Sequence, residues 1–350
     1  MNSGFRWCPH CGKPHSLADK TCSVTGKPFD AVIHHRLTPQ ARTPLVGAIL
    51  DGKYRILRPI GGGGMGMVFE AEHLALRRRV AVKVVSATGT ADALARLARE
   101  AKLVGAIHHR NICDVYDVGE LANGGPYIVL EHLVGDTLAS RMQGVKMRTN
   151  AVVDIFVQLL SGLAAAHRVH ILHRDLKPQN IFLVEHLGCA PLVKVLDFGL
   201  ARDLSAPPKD RLTKPGRACG TVQYMSPEQL RAKPLDATSD LFAVGVMMYE
   251  ALTGRHPFAA PSQLELQTNI LRNNARPLRL YRPDVPRALE QMIAWAMSPL
   301  PGERPASALE LQRGLLSAVP QWSLNESVGD EEPASVTNPV YIPPSSSPAA

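Results

Sequence analysis

His173-Arg174-Asp175-Leu176-Lys177-Pro178-Gln179-Asn180 is the stretch on which the reading of this chain turns. A helical, apolar run precedes it, and Ile181-Phe182-Leu183-Val184, which reads as a short buried strand, follows it. Between the two lies a tight loop with a fixed order of charges, a proline and an amide. Asp175 can accept a proton, and Asn180, five positions on, offers an amide oxygen. The plainer reading is a polar loop that caps a helix. It survives only if the rest of the chain lacks the parts such a loop would need for chemistry.

At 350 residues the chain is longer than a typical single domain, so one large two-lobed unit with appendages is expected. Its 45% apolar and 20% charged residues belong to a soluble globular protein with a sizeable core. The formal net charge of +8 comes from scattered basic residues, with Arg77-Arg78-Arg79 as a short run. From Gln321 onward there are Glu326, Asp330, Glu331 and Glu332 and no Lys or Arg, so the remainder is more basic still. That balance suits phosphate ligands, and dedicated nucleic-acid binding is not expected. No stretch reaches the about 18 uninterrupted apolar residues of a membrane span. Leu241 to Leu252 comes nearest, but it is short and holds Glu250, so it reads as a buried helix. Met1 to Cys11 shows no signal-peptide core, and a cytoplasmic protein without a membrane segment is expected. Cys8, Cys11 and Cys22 cluster near the start while Cys113, Cys189 and Cys219 are scattered, a distribution for metal or plain thiols and not for a secreted disulfide framework.

Tyr54-Arg55-Ile56-Leu57 alternates in character as a strand does and runs into Ile60-Gly61-Gly62-Gly63-Gly64-Met65-Gly66-Met67-Val68. Backbone N–H groups can approach phosphates closely where no Cβ intervenes. A flexible hairpin would look the same. A dinucleotide-binding turn should open into a helix, whereas Val68-Phe69-Glu70-Ala71 continues as strand. In Val80-Ala81-Val82-Lys83, alternation puts the two valines on one face and Ala81 and Lys83 on the other. Ala91 to Val104 is helical, with Leu94, Leu97, Ala101 and Val104 sharing a face, Glu100 on its border, and Arg96 and Arg99 pointing away. Glu100 is thus placed to pair with Lys83; Glu72 is the poorer partner, and an ordinary border glutamate is the plainer reading. Asn150 reads as the N-cap of a helix from Ala151 to His167, whose core face is Val152, Phe156, Leu159, Leu160 and Leu163. His167 and His170 read as structural.

From Lys53 to Ser317 these segments resemble a protein kinase, in the family's order. His173–Asn180 matches the catalytic loop H-R-D-L-x-x-x-N. Gly61, Gly63, Gly66 and Val68 match the glycine-rich loop G-x-G-x-x-G-x-V, and Val80–Lys83 matches V-A-I-K with Val82 for Ile. Asp197-Phe198-Gly199, 22 residues after Asp175 and directly after the strand Val193–Leu196, matches D-F-G. Met225-Ser226-Pro227-Glu228 resembles the segment ending in A-P-E, with Ser226 for Ala.

The resemblance implies an α+β, two-lobed protein kinase fold, with a small β-rich N-lobe over about 51–131 and a larger helical C-lobe over about 135–318. It implies ATP held by Ile60, Gly61, Gly62, Gly63, Gly64, Met65, Gly66, Val68 and Ala81, with Lys83 on the phosphates and Glu100 pairing Lys83. Leu130 would be the gatekeeper, and the backbone of Glu131 and Leu133 would hold the adenine. Asp136 would reach the ribose or else cap the following helix. Asp197 and Asn180 would bind Mg²⁺ or Mn²⁺. Asp175 would take the proton from a substrate hydroxyl, and Lys177, with Thr221 as neighbour, favours Ser/Thr over Tyr acceptors in proteins. Glu228 would pair with Arg304, and Asp240 would buttress the catalytic-loop backbone. Arg174 beside the base implies activation by phosphorylation, with Thr213 as first candidate and Ser205 as second. Phosphorylation in trans would need a transient homodimer.

Cys8-Pro9-His10-Cys11-Gly12 resembles a zinc knuckle, and Cys22-Ser23-Val24-Thr25-Gly26 a second one in which Thr25 stands where a fourth cysteine would be. His10, His15, Asp19, His34 or His35 could complete the set; one structural Zn²⁺ and a metal-free remnant both stay open. The organisation expected is a zinc-ribbon-like segment over 1–30, a linker over 31–50 with Pro39 and Pro44, a kinase domain over 51–318, and a disordered Pro/Ser-rich tail over 319–350. The expected activity is that of a bacterial-type Ser/Thr protein kinase. Intact Lys83, Asp175, Asn180 and Asp197 argue against a pseudokinase scaffold, and the A-P-E-like segment argues against a small-molecule kinase.

Overall fold

The computed structural model describes residues 45–63, 66–85, 99, 101–143, 145–185, 190–198 and 222–319, with the backbone of Phe5–Trp7 and Pro14–Ser16. Cys8, Cys11, Cys22, Gly64, Met65, Glu100, Gly199, Ser205, Thr213 and Thr221 lie outside the described residues. Strand β1 (Phe5–Trp7) pairs antiparallel with β2 (Pro14–Ser16), Arg6 opposite His15. In the sequence the two strands flank Cys8-Pro9-His10-Cys11. The chain divides into two compact units, Met1–Leu94 with Val115–His132, and Ala95–Asp114 with Leu133–Ala350.

The first unit is built on a six-stranded antiparallel sheet in the order β3-β4-β5-β6-β8-β7. Its strands are β3 (Ile49–Leu50), β4 (Tyr54–Gly63), β5 (Gly66–His73), β6 (Arg78–Val85), β7 (Val115–Glu120) and β8 (Pro126–Glu131). β-Branched and aromatic residues recur with period two and send one face into a common core of Ile56, Phe69, Val80, Val82, Tyr127 and Val129. Register shifts on either side of Pro59 let β4 hold a residue that has no N–H for the ladder. The Tyr54 hydroxyl donates to Asp117 Oδ2 at 2.9 Å and Lys53 Nζ reaches the same oxygen at 3.1 Å, tying β4 to the distant edge strand β7. Glu70 is buried in β5, with Arg58 at 2.5 Å and Arg79 at 3.3 Å.

The second unit is helical. Helix α1 (Thr149–Arg168) buries Val152, Phe156, Leu159, Leu160 and Leu163 completely. It begins two residues earlier than the sequence suggests, with Arg148 at the cap position making no side-chain bond and Asn150 already inside. Arg282 accounts for that start: it donates to the Met147 and Leu252 carbonyls at 3.0 and 2.8 Å and to Thr149 Oγ1 at 3.0 Å. Among the described residues α1 is also the one helix long and apolar enough to cross a membrane by length and composition; here its apolar face is buried in the unit.

Helix α2 (Ala237–Thr253) starts on Asp236, whose carboxylate accepts from the Thr238 N–H, and stops at Gly254, left-handed at φ 67°. It is buried along nearly its whole length. Helices α3 (Gln263–Arg272), α4 (Arg287–Ala296) and α5 (Ala308–Ala318) complete the unit. The end of α4 lies so close to α2 that a Cβ on Gly245 would sit 3.0 Å from Ala296 Cβ and 2.8 Å from Cγ of Met297, the residue that caps it. α5 lies on α1, where Gln312 Nε2 donates to the Val157 carbonyl at 2.8 Å.

A small sheet in the order β11-β10-β9 joins β9 (Gly135–Thr137), β10 (Ile181–Val184) and β11 (Leu192–Val195). Thr137, not Asp136, caps the turn Leu138–Arg141 by accepting from the Ser140 N–H at 3.2 Å. Asp136 stays exposed, opposite Leu183, so of the two roles left open for it the capping one falls to its neighbour. A sheet-rich unit and a helical one make up the α+β architecture, β-rich part and helical part, that the motifs lead one to expect.

Candidate active site

The loop His173–Asn180 follows α1 and is held from behind by Asp240 in the first turn of α2. Asp240 is buried; its Oδ2 accepts the His173 N–H and its Oδ1 the Arg174 N–H, both at 2.9 Å, and His167 Nε2 lies 2.8 Å from Oδ2. Burial alone would push this carboxyl up, but the hydrogen bond from His167, with His173 beside it, holds it below the usual carboxylate range. Those contacts support a strained backbone, since Arg174 sits at φ 64° in the left-handed region.

His173 ties the loop to the end of β11. Its Nδ1 accepts the Asp175 N–H at 3.3 Å, which leaves Nε2 as the protonated nitrogen, donating to the Leu196 carbonyl at 2.8 Å. The ring lies 4.9 Å from that of Phe198. Asn180 makes the second tie: Nδ2 donates to the Asp175 carbonyl at 2.9 Å, and its own carbonyl accepts the Leu196 N–H at 2.8 Å. With Nδ2 committed, Oδ1 is the side-chain atom Asn180 has to offer a cation. Asp197, at φ 55° just past β11, brings a carboxylate on the segment bonded to it. Two hard oxygen donors of this kind suit Mg²⁺, which completes its octahedron with phosphate oxygens and water. Lys177 Nζ lies 2.8 Å from Asp175 Oδ2, so the carboxylate is ion-paired and mostly shielded.

Ser226-Pro227-Glu228-Gln229 forms a capping box. Ser226 Oγ accepts the Gln229 N–H at 3.4 Å, and Gln229 Oε1 accepts the Ser226 N–H at 2.9 Å. The serine that replaces Ala in the A-P-E pattern therefore closes a helix end. Gln229 Nε2 also reaches the Arg174 carbonyl at 2.8 Å. Glu228 and Arg304 are brought together as a bidentate pair at 2.7 and 2.8 Å, joined by the Ser239 hydroxyl at 2.7 Å. Burial opposes the Glu228 charge, yet Arg304 and Ser239 lower its pKa from 4.5 to about 2. Nearby, the Tyr224 hydroxyl donates to Glu250 at 2.7 Å, and His256 bonds the Gln223 carbonyl at 3.0 Å.

In the sheet unit Gly61, Gly62 and Gly63 of β4 stand opposite Val68, Met67 and Gly66 of β5. Gly66 has φ 141°, and a Cβ there would lie 2.0 Å from the Val84 carbonyl oxygen. At Gly61 the nearest atom to such a Cβ is 4.0 Å away. Ile60 is exposed. Lys83 is buried in β6 between Val68 and Ile128, and Ala81 between Glu70 and Leu130, both alternating with core Val80 and Val82. Leu130 and Glu131 are half-buried at the end of β8; Leu133, also half-buried, belongs to the second unit.

Gln229, Arg282 and Glu70 escaped the sequence reading. Only the first had a local signal, the S-x-x-Q spacing of a capping box.

Residues 54–320 match the family described as the protein kinase domain. Serine/threonine-protein kinase Pkn1 of Myxococcus xanthus is 38% identical over 320 residues, 89% of this chain and 45% of that protein. Serine/threonine-protein kinase pkn3 of the same organism is 38% identical over 305 residues, 82% of this chain and 56% of that protein. Serine/threonine-protein kinase PrkC of Bacillus subtilis (strain 168) is 35% identical over 285 residues, 81% and 43% respectively. The chain spans about half the length of these curated relatives. With the matched region covering most of its length, this chain belongs to the protein kinase domain family.

Proposed function

We propose that the chain is a Ser/Thr protein kinase, transferring the γ-phosphoryl of ATP to Ser or Thr hydroxyls of proteins. The observation that carries this reading is the Asp175 carboxylate on a loop whose backbone is fixed by Asp240 and whose charge is paired with Lys177 at 2.8 Å. Asp175 accepts the hydroxyl proton as oxygen attacks phosphorus. Lys177, already beside that carboxylate, offsets the charge of the transferring group and marks Ser/Thr acceptors. Asn180 Oδ1 and the Asp197 carboxylate are the ligands for Mg²⁺, which when bound neutralises phosphate charge. Lys83, with Glu100 as its partner, takes the α- and β-phosphates, and the Gly61–Gly66 backbone covers them. Ile60, Val68, Ala81 and Leu130 line the base, the backbone of Glu131 and Leu133 reads it, and Asp136 takes the ribose.

Regulation by phosphorylation at Thr213, or at Ser205, in a transient homodimer belongs to the same reading, as do a kinase domain over 51–318 and a cytoplasmic location. One Zn²⁺ on Cys8, Cys11 and Cys22 is supported by the β1–β2 pairing that flanks the first two cysteines in sequence. Elemental analysis tests it: one zinc per chain, lost in Cys8→Ser, against a metal-free protein purified without chelators.

The test of the activity is radiolabelled ATP with wild type and Asp175→Asn. Labelling of the chain or of a protein acceptor that falls by a factor of about 10² to 10⁴ in the variant supports the reading. Labelling absent from both, after treatment with an activating kinase, would indicate a nucleotide-binding scaffold instead.

A further inference from the structure

Gln229 has no part in the mechanism above, yet its amide is engaged at both ends. Oε1 accepts the Ser226 N–H at 2.9 Å and Nε2 donates to the Arg174 carbonyl at 2.8 Å. That carbonyl belongs to the same peptide plane as the Asp175 N–H, which is bonded to His173 Nδ1 at 3.3 Å. The plane between Arg174 and Asp175 is therefore fixed at both of its polar atoms. It follows a residue held at φ 64°, whose own N–H is fixed by Asp240 Oδ1 at 2.9 Å. The direction in which the Asp175 side chain leaves the backbone depends on the tilt of this plane. His173 and Asp240 fix it from the core; Gln229 fixes it from the substrate-side segment.

We infer that Gln229 is a positioning residue, which sets the orientation of Asp175 and makes it depend on the Ser226–Gln229 turn. The inference rests on the kinase reading for its effect on turnover. The chemistry asks for an amide: the cap needs an acceptor and Arg174 needs a donor. A carboxylate satisfies the first and places an oxygen against the Arg174 carbonyl.

Two substitutions separate positioning from stability. Gln229→Glu keeps the acceptor for Ser226 and removes the donor to Arg174. Ser226→Ala removes the Oγ cap but keeps both Gln229 side-chain bonds. The assay uses radiolabelled ATP with casein as acceptor, reading kcat and KM for ATP separately, beside thermal unfolding. For Q229E the expected result is a kcat lower by at least about tenfold, since small misplacements of a base have large effects on rate. Its KM for ATP stays within about twofold and its Tm within about 2 °C. For S226A, Tm falls and kcat holds. A Q229E kcat within about twofold of wild type overturns the inference, as does a kcat loss that follows Tm across both variants. Hydrogen exchange supplies a readout independent of turnover: amides of residues 173–176 exchange at least about fivefold faster in Q229E but not in S226A. Unchanged exchange in Q229E overturns the inference even if the wild type labels nothing, a result that would count against the kinase reading separately.

Discussion

Arg304 closes both terminal nitrogens on the Glu228 carboxylate, at 2.7 and 2.8 Å, in a place where the guanidinium has no solvent contact. Its other donors go to the Ser298, Thr238 and Pro299 carbonyls at 2.7, 3.0 and 3.3 Å, and its Cζ lies 5.0 Å from the centre of the Phe242 ring. Removing one partner strands a buried charge. Arg304→Met is expected to lower unfolding free energy by about 3–5 kcal/mol, measured by urea titration at pH 7. Adding Glu228→Met should recover part of that loss; a double variant no more stable than the single one would contradict the pairing argument.

Acid should weaken the fold in two successive windows that meet near pH 4. Burial lowers the His256 pKa from 6.5 to about 4, so the folded state prefers the neutral ring. Its contribution is fully present above pH 6.5 and is lost as pH falls toward 4, about 3 kcal/mol in all. Glu228, lowered from 4.5 to about 2 against the opposing effect of burial, contributes above pH 4.5 and is lost as pH falls toward 2, again about 3 kcal/mol. Unfolding free energy measured against pH should show His256→Gln flattening the upper window and Glu228→Gln the lower. An unchanged slope in either variant would show that the group is not the source.

Two glycines of one loop should fail differently. Gly66→Ala forces a Cβ to 2.0 Å from the Val84 carbonyl oxygen at φ 141°, and a loss of more than about 2 kcal/mol of stability is expected. Gly61→Ala makes only an ordinary contact, 4.0 Å from Val68 Cβ, and should change stability by less than about 0.5 kcal/mol. A fall in nucleotide affinity in Gly61→Ala, by fluorescent ATP-analogue titration, would then report phosphate contact and not folding.

Asp240→Asn leaves one oxygen where two backbone N–H groups and His167 now converge. A cost of about 1.5–3 kcal/mol is expected, with the loop at Arg174 released from its left-handed conformation. Phosphorylation should drop more steeply than stability. Equal activity in the variant at a temperature where it is folded would contradict the supporting role.

Much of this was legible in the sequence because kinase chemistry is written in short, ordered strings. The loop from His173 to Asn180, the strand carrying Lys83 and the glycine hairpin are each specified by neighbours within a few residues, where spacing and alternation are readable. What was not legible depends on partners far along the chain. The start of α1 went to Thr149 instead of Ala151 because Arg282, 133 residues later, bonds the Thr149 hydroxyl. Asp117, which ties β7 to Tyr54 across 63 residues, carries no local mark at all. The cap went to Thr137, one residue from the Asp136 for which capping was one of two open roles, a choice that local propensity leaves undecided when two adjacent residues can both accept from a helix N-terminus.

The reach of Arg282 has a consequence for synthesis. A ribosome delivers Met147, Thr149 and Leu252 well before the guanidinium that bonds all three, and Glu228 well before Arg304. The entry of α1 and the exit of α2 thus wait on a residue from the last fifth of the chain. A nascent chain halted just short of it exposes those carbonyls and a partly assembled helical core, the state in which a chaperone has most to hold.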